Sequence, residues 1–181
     1  MEELSLHILD IVENSIAAGA RWVRIRVRED RQADVLAIEI ADNGRGMSEA
    51  VRQKVVDPFF TTRTTRRVGL GLPLFEQAAR AAGGEFKLES RPGAGATVTG
   101  VFQYRHVDRQ PLGDMASTLL SLAAGNPDVR FSYSHWKDGA EVSFSSEEIT
   151  AQLGGTPLQS PQGLAALRRS LERVREHAAS S

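Results

Sequence analysis

Two short runs of strict alternation limit the fold more than anything else in the chain. In residues 22–28, Val23, Ile25 and Val27 point one way, while Trp22, Arg24, Arg26 and Arg28 point the other. Leu36, Ile38 and Ile40 then alternate into Asp42. A period of two is that of a strand, and apolar residues alternating with arginines describe a strand with one buried and one wet face. Trp22, at the start of the first run, is placed to cover part of the wet face. The connection, Glu29–Asp34, is polar and short enough for a hairpin. The sheet therefore needs a cover on one side.

The neighbouring segments supply helices for that cover. Residues 2–18 put Leu4, Ile8, Ile11, Val12 and Ile16 on one face and His7, Asp10, Glu13 and Asn14 on the other, and Gly19 stops the run. Ser48 reads as the N-cap of a helix of about ten residues that ends before Pro58. A further helix spans about Leu72–Ala82 and stops at Gly83-Gly84. Strands at 85–90 and 96–104 are joined by Pro92-Gly93-Ala94-Gly95. Strands in mixed, mainly antiparallel order with segregated helices predict an α/β two-layer sandwich.

Near Tyr104–Pro111 the rhythm changes. The remainder reads as a helix (112–124), a hairpin (129–135 and 140–145, turning at Lys137-Asp138-Gly139) and two helices, one capped at Ser145 and one starting at Ser160-Pro161. In this segment Phe131, Tyr133, Trp136 and Phe144 are expected to form ordinary hairpin core. The sequence thus divides into 1–104 and a small α/β appendage, 105–181. A chain of 181 residues suits one domain or one and a half.

Composition removes several classes of function. There are no cysteines, which excludes disulfides, thiolate metal sites and thiol catalysis. Formal net charge is −1, without the global excess of a typical nucleic-acid binder. No apolar run approaches the ~18 residues of a membrane span, and the start, Met1-Glu2-Glu3-Leu4, has no basic leader. A cytoplasmic protein is expected, with neither nucleic acid nor membrane as partner.

Four motifs carry chemistry. His7, Asp10 and Asn14 form a polar stripe on the first helix; it reads as a solvated face, or as a carboxylate and an amide aimed at a metal-bound polyphosphate. Asp42-Asn43-Gly44-Arg45-Gly46-Met47 follows a strand; it reads as a turn, or as a loop whose carboxylate meets an adenine amino group while its glycines let backbone approach the base. Asp57-Pro58-Phe59-Phe60-Thr61-Thr62-Arg63 joins two aromatics to a Thr and Arg cluster without core use. Gly69-Leu70-Gly71-Leu72 opens a helix, where free N–H groups suit phosphate, and Arg63, Arg66 and Arg67 stand upstream. There is no Gly-Lys-Ser/Thr phosphate loop.

Taken together, these motifs resemble those of the ATPases that share the Bergerat (GHKL) fold: gyrase, certain heat-shock chaperones, histidine kinases and the mismatch-repair protein MutL. Leu9–Ala20 resembles the N box, in its mismatch-repair version. Asp42-x-Gly44-x-Gly46-Met47 resembles the first glycine box, residues 57–63 the F box of histidine kinases, and Gly69–Leu72 the second glycine box. Ser90-x-x-Gly93-x-Gly95-Ala96-Thr97 resembles the last glycine loop. The match covers about residues 1–104, in order.

The resemblance implies a Bergerat ATP-binding fold, with ATP and Mg²⁺ as cofactors. Asn14 is the implied Mg²⁺ ligand. Asp42 would bind the adenine amino group with support from Thr97, and Gly44, Gly46 and Met47 would shape the base pocket. Gly69, Leu70, Gly71 and Leu72, with Arg66, would lie at the phosphates. Asp10 is the candidate base and Arg63 a candidate catalytic cation. Three positions depart from the pattern. Asp10 stands where hydrolysing branches carry Glu and histidine kinases often Asn, Arg67 replaces the first glycine of the second box, and eight residues, 61–68, form a very short lid.

The resemblance implies a histidine-kinase-like protein of the ATP-dependent kinase kind, a stand-alone module that phosphorylates or switches a partner protein in trans. An ATP-gated interaction module without transfer, and a slow ATPase of the mismatch-repair or gyrase type, are the alternatives. A homodimer is compatible with all three.

Overall fold

The computed structural model describes residues 3–57 and 71–180. In chain order the elements are α1 (Leu4–Ala17), β1 (Trp22–Asp30), β2 (Val35–Asp42), α2 (Glu49–Lys54), α3 (Gly71–Ala81), β3 (Glu85–Ser90), β4 (Ala96–Gln103), α4 (Met115–Gly125), β5 (Arg130–Lys137), β6 (Ala140–Ser145), α5 (Ser146–Gln152) and α6 (Pro161–Ala179).

The strands form one sheet in the order β3-β4-β2-β1-β5-β6. Four of the five pairings are antiparallel; β1 with β5 is parallel. The alternation read from sequence holds strictly. Val23, Ile25 and Val27 are buried, as are Leu36, Ile38 and Ile40 opposite them. The fold is a two-layer α/β sandwich, with helices packed on this one face. Leu4, Ile8, Ile11 and Val12 of α1 are within 3% of full burial, and each contributes about 1.5–3 kcal/mol through its burial.

Residues 105–181 do not stand apart from this core. The parallel pairing sets Val23 beside Phe131, Ile25 beside Tyr133 and Val27 beside His135, so β5 and β6 widen the sheet. The linking strap is tied to α1. Glu3, at the N-cap of α1, makes no side-chain cap, and the first helical N–H groups instead donate to strap carbonyls: Leu4 to Pro111 (2.9 Å) and Ser5 to Leu112 (2.8 Å). Ser48, Ser145 and Ser160 cap their helices as the sequence predicts.

Two expectations are corrected. Trp136 is not hairpin core: Phe131, Tyr133 and Phe144 are buried, but Trp136 lies on the opposite face, half-exposed. His7 is not on a solvated stripe: it is 1% exposed, with Nε2 2.9 Å from Gln110 Oε1 and its ring beside Phe75 of α3. Burial holds its pKa below the ordinary 6.5. No helix among the described residues is long and apolar enough to cross a membrane.

Candidate nucleotide site

Asp42 ends β2 on the helix-covered face, because it shares the parity of Ile38 and Ile40. Two donors hold its carboxylate. Ser15 of α1 donates its hydroxyl to Oδ2 at 2.7 Å, and the Gly44 backbone N–H donates to Oδ1 at 2.8 Å. Ser15 is 5% exposed, so this bond is shielded from water. Each carboxylate oxygen retains a lone pair, while the group itself is fixed. Asn43 secures the loop from outside, accepting the N–H groups of Arg21 (2.7 Å) and Trp22 (3.0 Å).

Glycines let the walls close around this carboxylate. A Cβ on Gly46 (φ +68°) would collide with the Arg91 carbonyl, and one on Gly95 (φ +73°) with the carbonyl of Asp42. The first and last glycine loops are therefore in backbone contact. Ser90 stitches them, accepting from Met47 N–H (2.9 Å) and donating to the Gly95 carbonyl (2.6 Å). Gly44 lies against Ala18 beyond the end of α1, and Met47 is half-buried against the core.

The phosphate-type end is marked by Gly71. It begins α3, and a Cβ there would lie 3.0 Å from Cβ of Asp10. The N-terminus of α3 thus abuts the middle of α1, where Asp10 and Asn14 lie one turn apart, both half-buried. Leu72 packs against the core beside it. Arg63, Arg66, Gly69 and Leu70 lie outside the described residues, as do both phenylalanines of the F-box-like motif.

Along α1 the structure sets Gly71 against Asp10, one turn from Asn14, and Asp42 and Gly44 against Ser15 and Ala18, while Gly46 and Met47 are held on the last glycine loop. It does not bring Thr97 to Asp42. The register sets Ala96 opposite Asp42 and Thr97 opposite Ala41. Thr97 therefore emerges on the other face of the sheet, since successive side chains alternate. The hydroxyl that supports Asp42 belongs to Ser15, which sequence reasoning missed. Its signal was there: Ser15 follows Asn14 directly and is a polar residue on the apolar side of the helix.

The sequence profile of the family "histidine kinase-, DNA gyrase B-, and HSP90-like ATPase" matches residues 2–106. The sensor protein kinase FleS of Pseudomonas aeruginosa is 42% identical over 92 residues, which is 51% of this chain and 23% of that protein. The signal transduction histidine-protein kinase AtoS of Escherichia coli is 37% identical over 99 residues, 54% of this chain and 16% of its own. The chain thus spans less than a quarter of the length of either relative. Among solved structures, the N-terminal domain of a DNA repair protein superposes with a TM-score of 0.54 at 18% identity, covering 80% of this chain and 53% of that one; this is a likeness of fold. With more than half of its length inside the matched region, the chain belongs to the histidine kinase-, DNA gyrase B- and HSP90-like ATPase family of ATP-binding domains.

Proposed function

We propose that the chain binds Mg·ATP and uses it to phosphorylate, or to switch, a partner protein in signal transduction. The observation that carries this reading is the Asp42 carboxylate, pinned by Ser15 and Gly44 among close-packed glycine loops beside α1. An ionised carboxylate only accepts, so it selects a base that presents an exocyclic amino donor and repels one that presents a carbonyl. Adenine meets that condition.

The donor set beside Gly71 suits Mg²⁺. The Asn14 amide and the Asp10 carboxylate are hard oxygen donors, and Mg²⁺ takes its remaining ligands from phosphates and water. The ion would neutralise phosphate charge. Asn14 would hold it, Asp10 would orient the incoming nucleophile, and the Arg63 and Arg66 guanidinium groups would screen the phosphates. His7 and His135, each at most 1% exposed, are closed to phosphorylation, and the acceptor is assigned to another protein. Both relatives quoted above are named as kinases of sensing or signal transduction.

Calorimetric titration with Mg·ATP and Mg·ADP tests the reading. Binding that Asp42→Asn abolishes, followed by transfer of labelled γ-phosphate to a partner, is the expected result. Failure of the wild type to bind either nucleotide defeats it. A reading without transfer rests on Asp10, whose reach is one methylene shorter than Glu. If Asp10→Ala leaves both ATP binding and partner regulation intact, the chain is an ATP-gated interaction module.

A further inference from the structure

Both tryptophans of the chain stand on the sheet face turned away from the helices. Between them, Arg24, Arg26 and Arg28 form a row along β1. The Arg24 guanidinium lies 5.8 Å from the centre of the Trp22 ring, and that of Arg28 lies 5.1 Å from Trp136. The three side chains remain 40%, 55% and 61% exposed. Glu39 is shared by Arg24 and Arg26, each at 3.5 Å, and Asp30 takes Arg28 at 3.1 Å. Two carboxylates thus serve three guanidinium groups, through exposed pairs that each contribute little.

Four of the six residues paired beside the row are small, the other two being Glu39 and Trp136. Ala41 and Ser132 flank Arg24, Ser134 flanks Arg26, and Ala37 flanks Arg28. The row therefore overlooks a shallow cleft of about 440 Å³, lined by residues of five strands and no helix. The edge strands carry Glu85, Lys87, Glu89 and Glu141, a net negative set, while the central row sets three arginines against Glu39 and Asp30.

We propose that this face docks an acidic helix of a partner protein. Alternate residues of a strand stand about 6.7 Å apart. Side chains at i, i+4 and i+8 of a helix stand about 6.0 Å apart along its axis. Three carboxylates on one helical face therefore match three arginines within about a side chain's play. Trp and Arg are the residue types that most often anchor interfaces, and here each ring is already stacked on its cation. A helix laid here gives the sheet a second covering layer, the ordinary completion of an open sheet. Asp42 points to the other face, so nucleotide and helix can be bound together.

Because Trp22 and Trp136 are the chain's two tryptophans, intrinsic fluorescence reports directly on this face. The probe is an alanine-based helical peptide with Glu at i, i+4, i+8 and i+12, compared with a peptide of equal composition whose Glu residues are spread around the helix. A saturable fluorescence change with the first peptide is expected, at least tenfold weaker with the second. Arg26→Glu with Arg28→Glu should weaken binding at least tenfold and create affinity for the Lys-substituted peptide, with ATP affinity and far-UV circular dichroism unchanged. Thr99→Glu, which removes no arginine, should weaken the same binding. Equal binding of the two Glu peptides overturns the proposal, as does the absence of any saturable change. So does tighter binding of duplex DNA or RNA at equal ionic strength. Self-association in sedimentation that the double reversal abolishes also overturns it, and would make the face a contact between copies.

Discussion

The β1–β2 hairpin carries a carboxylate at each end, and the two have opposite fates. Asp42 and Glu29 share the parity of the buried residues and lie on the helix-covered face. Asp42 keeps unused acceptor capacity, and glycines let the neighbouring backbone close against it. Glu29 is 8% exposed, and its Oε1 is 2.8 Å from His135 Nε2, with the Tyr104 hydroxyl also on it and the Lys137 charge nearby. His177 of α6 packs edge-on against His135, with ring centres 4.9 Å apart. One carboxylate keeps acceptor capacity open, and the other is consumed in fastening residues 105–181 to the sheet. Position on the hairpin is equivalent; what differs is whether the neighbours leave an acceptor open.

The comparison is broken most severely at the Glu29 end. His135→Leu strips a buried carboxylate of its principal partner, and breaking a buried pair from one side costs up to about 3–5 kcal/mol. Urea unfolding should show a loss of that size, without a matching loss of ATP affinity at temperatures where the variant is folded. A loss below about 1 kcal/mol would mean that Glu29 is solvated rather than paired.

At the other end, Asp42→Asn should leave unfolding nearly unchanged and weaken ATP binding about 100-fold, the scale of one or two charge-assisted hydrogen bonds. An Asn can also turn its NH₂ toward the adenine amino group, donor against donor. Ser15→Ala should be milder, about five- to tenfold in ATP affinity. Ser15→Thr should restore most of it, because the hydroxyl is kept. A Ser15→Ala variant that binds ATP as well as wild type would show that Gly44 alone orients the carboxylate.

The two ends also differ in how far the sequence revealed them. Asp42 was legible because its loop carries a local signature: an acid at a strand end, then Gly44 and Gly46 two residues apart. The hairpin strands were equally legible from alternation. Glu29 looked like turn polarity. Its partner lies 106 residues away, and only the parallel pairing of β5 with β1 brings them together. A single sequence carries no local trace of that pairing. The same non-local fact explains Trp136, whose parity follows from its register on β1. Thr97 was misplaced for a subtler reason: in a strand a shift of one residue changes the face, and the motif does not say which of Ala96 and Thr97 faces Asp42.

The smallest effect, and the sharpest contrast, lies in pH. Burial alone would raise the pKa of Glu29; the hydrogen bond and charge of His135, with Lys137 and Tyr104, outweigh it and hold the pKa below the ordinary 4.5. Below that value the unfolded chain takes up a proton that the folded chain refuses, so stability falls as pH drops through the folded pKa. His7 and His177 act in the same direction at higher pH. Desolvation holds both below 6.5, and stability begins to decline as pH falls past that value. Wild-type stability should therefore decrease in two stretches, one beginning near 6.5 and one near 4.5. In His135→Leu the burial of Glu29 remains while its main counterweight is gone, so the share of Glu29 in the lower stretch should vanish or reverse sign, leaving that of Asp34, Asp114 and Asp138. Urea midpoints measured from pH 7 to 3 for both proteins decide it. Parallel curves would show that His135 does not hold Glu29 ionised, and the two carboxylates would then differ in burial alone.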